Sequence, residues 1–82
     1  MILHVKLFAT LKEKAQANKL VLEISGEQTT VGGLLAEISA QKPCLATFLK
    51  SVLVAVNKEF AFPEQVISSE DEIALFPPVS GG

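Results

Sequence analysis

Only one long stretch of this chain has a helical hydrophobic period. From Val31 to Gln41 the apolar residues Val31, Leu34, Leu35 and Ile38 recur at three- and four-residue spacing, which places them on one stripe of a helix. Elsewhere the spacing is two. "ILHVKLF" (2–8) sets Leu3, Val5 and Leu7 on one face and Ile2, His4, Lys6 and Phe8 on the other, and "KLVLEI" (19–24) sets Leu20, Leu22 and Ile24 together. "VLVAVN" (52–57) is rich in β-branched residues, and "EIALFPP" (72–78) begins as a last strand that Pro77 and Pro78 end. One amphipathic helix covers one face of a sheet and no more. The pattern predicts an α+β domain: a mixed sheet with one main helix packed across one face.

The connecting segments read as follows. "ATLKEKAQA" (9–17) is a short helix that Asn18 ends in the left-handed conformation. "SGEQTT" is a turn in which Thr29 or Thr30 caps the main helix. Gly32-Gly33, in the first turn of that helix, lacks the strand–GxGxxG–helix setting of a phosphate loop. It reads as a packing device that lets the helix approach the sheet. "KPCLATFLKS" (42–51) is a second short helical piece with Pro43 near its start. "NKEFAFPEQ" is a turn-like connection, and "VISSEDE" carries an acidic turn.

At 82 residues the chain makes one domain, which buries only about 60–65% of its unfolded surface. A hydrophobic fraction of 49% suffices for one core and is too high for a disordered tail. Seven lysines, no arginine and nine acids leave a net charge of −2. The lack of arginine, the usual reader of guanine edges and phosphate forks, argues against a nucleic-acid partner. Charged residues appear too early for a signal peptide, and no apolar run approaches a membrane span, so the expected location is cytoplasmic.

The uncovered sheet face is the most informative local feature. Phe8 stands opposite in phase to Leu3, Val5 and Leu7. If Ile73 and Leu75 face the helix, Phe76 turns outward beside Ala74. Phe60 and Phe62 sit in the nearby connection, so three or four of the five phenylalanines are expected in one exposed region. A contiguous apolar patch of that kind marks an interface. The competing reading is a loop folded over them, or a strand phase shifted by one residue.

Side-chain chemistry is sparse. His4 is the only histidine and lies far in sequence from Cys44. The lone cysteine cannot form an internal disulfide or hold a metal by itself, and it reads as a small helix hydrophobe. Ser80 has no identifiable base. Glu70, Asp71 and Glu72 read as a solvated turn rather than a metal site, and as a weak candidate for recruiting a basic partner.

The last residues are different. A terminal Gly-Gly arises by chance in roughly one chain in two hundred, so the dipeptide alone says little. Here it follows a strand end, two stiffening prolines and small residues, and six residues from Pro77 can extend roughly 20 Å from the body. Glycines lack Cβ, so such an arm fits a narrow active site. Its reactive group is the terminal carboxylate, which must be activated, for instance as an acyl-adenylate. Sulfide attack then gives a thiocarboxylate, and amine attack gives an isopeptide bond. Neither route needs catalytic side chains in this chain.

The opening "HVKLFATLKE", the central "VAVN" and above all the ending "EIALFPPVSGG" resemble the small subunits of molybdopterin synthase. These are ubiquitin-like β-grasp sulfur carriers of molybdenum cofactor biosynthesis. The resemblance implies a β-grasp domain over residues 1–76 and a flexible tail, 77–82, ending in Gly-Gly. It implies that a ubiquitin-activating-type adenylyltransferase uses ATP to adenylate Gly82, which becomes a thiocarboxylate, while the chain itself binds no cofactor or metal. Ser80 and Gly81 would enter the large synthase subunit, which would carry the catalytic residues. Sulfur would pass to cyclic pyranopterin monophosphate to build the molybdopterin dithiolene. Phe8, Phe60 and Phe76 would form the partner interface in a heterotetramer.

Three alternatives stay open: a sulfur carrier for thiamine thiazole synthesis, a ubiquitin-like protein modifier, and a β-grasp binding module whose terminal glycines are incidental. A β-grasp ferredoxin is excluded by the single cysteine.

Overall fold

The computed structural model describes residues 1–77; the expectations for Pro78, Ser80, Gly81 and Gly82 lie outside the described residues. Five strands form the main sheet: β1 (Ile2–Leu7), β2 (Lys19–Glu23), β4 (Leu53–Val56), β5 (Glu59–Phe60) and β7 (Ile73–Phe76), in the order β2-β1-β7-β4-β5. The central pair, β1 and β7, is parallel; every other pairing in the sheet is antiparallel. Helix α1 (Ala9–Ala15) follows β1. Helix α2 (Val31–Gln41) spans the predicted segment and packs across one face, the arrangement of the ubiquitin-like β-grasp.

The predicted phases hold. Leu3, Val5 and Leu7 of β1, Leu20 and Leu22 of β2, Val54 and Val56 of β4, and Ile73 and Leu75 of β7 are all buried. They form one core with Val31, Leu34 and Ile38 of α2. Leu11, Leu45 and Leu49 close its edges. Each fully buried aliphatic side chain contributes about 1.5–3 kcal/mol from apolar area removed from water. Among the described residues no polar or charged residue is buried, so the core is held by packing alone.

The start of α2 is fully capped. The Thr30 hydroxyl oxygen accepts the Gly33 N–H at 3.0 Å, as one of the two candidate caps would. Carbonyls of the loop before β6 (Val66–Ile67) take the next two donors: Pro63 accepts from Gly32 at 3.0 Å and Gln65 from Val31 at 2.9 Å. Strand β6 also pairs with β3 (Thr29–Thr30) in a separate two-stranded ribbon, too short to show a period in sequence. The two glycines do serve close packing, but their neighbour is this ribbon and loop rather than the main sheet. A Cβ on Gly33 would stand 2.5 Å from Thr29 Oγ1, and one on Gly32 would stand 3.4 Å from the Pro63 carbonyl oxygen.

Three local expectations are corrected. The left-handed residue ending α1 is Gln16 (φ 56°), not Asn18. The Asn18 carbonyl is engaged in the β1–β2 ladder, where it accepts the Leu7 N–H at 2.9 Å. Segment 42–51 forms two separate 3-10 turns, Pro43–Leu45 and Phe48–Ser51, rather than one helical piece. The connection after β4 is a tight hairpin, with Asn57 (φ 53°) and Lys58 (φ 71°) both left-handed, and it places Phe60 on β5. Lysine is unusual at the second turn position. Tertiary bonds hold this turn: Asn57 Nδ2 donates to Asp71 Oδ1 and Asn57 Oδ1 accepts from the Glu72 N–H, both at 2.9 Å.

Thr30→Ala should cost about 1 kcal/mol through loss of the helix cap. For a domain of this size that lowers the melting temperature by about 4–8 °C. An unchanged thermal unfolding curve would mean that the loop carbonyls hold the helix start without the hydroxyl.

Candidate functional site

The open face of the sheet is built by register. Leu7 lies beside Leu75 in the parallel β1–β7 pair, so the next residues, Phe8 and Phe76, meet on the opposite face. Their rings stack, with centroids 4.7 Å apart and planes 9° from parallel. The β4–β5 hairpin pairs Ala55 with Phe60, which brings the Phe60 ring edge-on to Phe76 at 6.4 Å. Such aromatic pairs add about 0.5–1.5 kcal/mol each beyond their buried area. The cluster is nevertheless open: Phe60 is 72% exposed and Phe8 41%, while Leu53, paired with Phe76 across the strands, is 39% exposed.

Phe8 is held by an unusual turn. It has extended backbone (φ −125°, ψ 154°), and its N–H still reaches the Leu75 carbonyl at 3.3 Å. Ala9 immediately after it is left-handed, with φ 52°. That conformation is uncommon for a residue with a Cβ, and it turns the chain sharply from β1 into α1. Phe8 is thereby fixed at the strand end instead of continuing the ladder.

Beside the rings the face dips. Ala55 and Ala74, paired across β4 and β7, form the floor of a cavity of about 190 Å³, walled by Phe8, Phe76, Lys6, Lys58 and Glu72. Small residues below aromatic walls suit the insertion of a partner's apolar side chain. The sequence sets Ala74 outward beside Phe76, but not Ala55 next to it, because their pairing depends on the β4–β7 register.

The structure therefore brings Phe8, Phe60 and Phe76 together. Phe62 is 78% exposed but stands outside the ring cluster. Phe48 lies elsewhere, partly buried, with Lys14 Nζ 5.8 Å from its ring centroid.

The other candidates stay dispersed. His4 is on the open face opposite Val21. Cys44, expected as a helix hydrophobe, is exposed on a 3-10 turn, with its Sγ 3.8 Å from the Lys14 carbonyl oxygen. In the acidic segment, Asp71 ties two turns together, since its carboxylate accepts the Ser68 N–H at 2.8 Å as well as the Asn57 amide. Among the described residues no three potential metal ligands group together, and no helix is long and apolar enough to cross a membrane.

Comparison with known proteins matches the ThiS family over residues 5–82. The molybdopterin synthase sulfur carrier subunit of Chlamydomonas reinhardtii is 34% identical over 84 residues, spanning the whole of both chains. The protein of the same name from Dictyostelium discoideum is 34% identical over 80 residues, covering 95% of this chain and 93% of its own. Among solved structures, small archaeal modifier protein 1 of Haloferax volcanii has a TM-score of 0.82 at 30% identity, covering 95% of this chain and 98% of its own.

The two faces of β7 should respond differently to truncation. Phe76→Ala should destabilise the domain by about 1–2 kcal/mol, mostly lost aromatic contact. Leu75→Ala, one residue away in the core, should cost about 2–5 kcal/mol. Urea unfolding of both variants checks this; equal losses would mean that Phe76 belongs to the core.

Proposed function

The chain belongs to the ThiS family, and we propose that it is the sulfur carrier subunit of a molybdopterin synthase. The observation that carries this reading is a juxtaposition. Strand β7 ends at Phe76, in the middle of the aromatic cluster, and leads directly into the sequence "PPVSGG". A partner that grips the cluster therefore holds the base of the segment whose end bears the carboxylate. The family match running to residue 82, and the full-length similarity to a sulfur carrier subunit, support the same reading.

In this mechanism the Gly82 carboxylate attacks the α-phosphorus of ATP on a ubiquitin-activating-type adenylyltransferase, releasing pyrophosphate and forming an acyl-adenylate. Sulfide attacks the carbonyl carbon, the C–S bond forms, AMP leaves, and Gly82 becomes a thiocarboxylate. The segment 77–82 then enters the large synthase subunit, with Ser80 and Gly81 in its narrow channel. The sulfur passes to cyclic pyranopterin monophosphate, and two such transfers complete the dithiolene. Phe8, Phe60 and Phe76 are the docking surface of this chain, in a cytoplasmic heterotetramer. The catalytic side chains are the large subunit's. The carrier supplies a positioned nucleophile and no cofactor of its own.

A second reading, protein modification, is favoured by the similarity to the archaeal modifier. It shares the adenylate and differs in the acceptor, an amine instead of sulfide. Mass spectrometry of the C-terminal peptide, taken from the native host, separates the two. Sulfur in place of one Gly82 oxygen marks the carrier, whereas diglycine remnants on target lysines mark the modifier.

Deleting Gly82, or extending the chain beyond it, should abolish sulfur transfer and leave the thermal unfolding curve unchanged; activity in an extended, unprocessed variant would sink the mechanism. Phe76→Asp should weaken binding to the large subunit by about 2 kcal/mol or more, roughly thirtyfold in Kd, as expected at an interface centre. Calorimetric titration reads this directly, and an unchanged Kd would remove the cluster from the interface.

A further inference from the structure

A second recess adjoins the aromatic cluster. It is a groove of about 500 Å³ where β1, the start of α1 and the start of β2 meet, and Lys6, Lys12 and Lys19 line it together with Phe8 and Ala9. The chain carries nine acids to seven lysines, yet this groove gathers three lysines and no carboxylate. Lys6 and Lys19 stand directly opposite each other across the β1–β2 ladder. Like charges in that position oppose strand pairing. The left-handed Ala9 lies in the same wall. Local choices that work against folding, concentrated at one place, mark a surface whose compensation comes from outside the chain.

We propose that this groove seats an acidic segment of the protein that covers the phenylalanine cluster, its carboxylates bridging Lys6 and Lys19 and reaching Lys12. The proposal rests on the sulfur-carrier reading for the identity of that protein, the large synthase subunit, and on the groove itself for its chemistry. Continuity fixes the placement, because Phe8 and Lys6 line both the groove and the alanine-floored cavity. One partner surface therefore meets the alanine-floored cavity, whose walls also carry Lys6, Lys58 and Glu72, and a cationic trough side by side. The mixed walls, lysine heads against Phe8 and Ala9, favour a polypeptide over a nucleic acid, whose phosphates find no arginine forks here. The contribution is to the rate and orientation of encounter, with the apolar cluster holding the complex once formed.

The test compares Lys19→Glu, Phe76→Asp and a distant control, Lys42→Glu, for association with the purified large subunit at low and high salt. Lys19→Glu should slow association about tenfold at low salt, and the deficit should vanish at high salt as the charges are screened. The same variant should melt at a higher temperature than the parent, because the opposed pair with Lys6 becomes attractive. Parent-like association at low salt, or a deficit that persists at high salt, overturns the proposal. A normal Kd for Phe76→Asp would defeat the cluster's role without touching the groove.

A titration independent of the synthase uses an isotope-labelled chain and a short glutamate-rich peptide. Amide shifts centred on Lys6, Lys12 and Lys19, absent with a lysine-rich peptide, support the groove. Shifts spread equally over Lys42 and Lys50, or displacement by an oligonucleotide that binds more tightly than the peptide, overturn it.

Discussion

The parallel pairing of β1 with β7 is the contact on which the rest of the molecule depends. It joins the first strand to the last, Val5 to Ile73 and Leu7 to Leu75, across nearly the whole length of the chain. Closing so long a loop is entropically unfavourable, and the pairing is repaid only when both strands bury their inward residues under α2. Leu3, Val5, Leu7, Ile73 and Leu75 do this almost completely. Once that register is set, the outward residues follow without further choice. Phe8 falls beside Phe76, and the antiparallel neighbours bring Leu53, Ala55 and Phe60 to the same side.

With one main helix, the fold divides the sheet into a face that stabilises and a face that is available. The inner face tolerates little, because each buried leucine sits among close-packed neighbours. The outer face carries side chains that contribute modestly to folding and can therefore be selected for binding.

Two departures from local preference stand together at one corner of the sheet. Ala9 is left-handed without being glycine, and Lys6 opposes Lys19. Both line the groove that runs into the aromatic cluster. The left-handed Lys58 of the β4–β5 hairpin lines the cavity on the cluster's other side. The core shows no such conflict, since among the described residues it buries no polar group. Stability is concentrated where the helix packs, and these unfavourable local choices lie outside that core.

Periodicity in the chain itself determined the main elements, their inward phases and the exposure of one sheet face. Those depend on spacing within a single segment, and Val31, Leu34 and Ile38 or Leu3, Val5 and Leu7 declare it directly. Phe8 and Phe76 are likewise legible as outward residues, whereas Phe60 is legible only as a neighbour in the connection. What the tertiary structure alone decided is which outward residues meet. The stacking of Phe8 on Phe76 and the alanine floor of the cavity are products of the register of β7 with β1 and β4, and the convergence of Lys6, Lys12 and Lys19 follows from the pairing of β1 with β2 around α1. The two-residue strands are too short to carry a period, and a hairpin turn built on Asn57 and Lys58 is held by Asp71 and Glu72 from another part of the chain. Local pattern reports which way a side chain faces; only the closed sheet determines what it faces with.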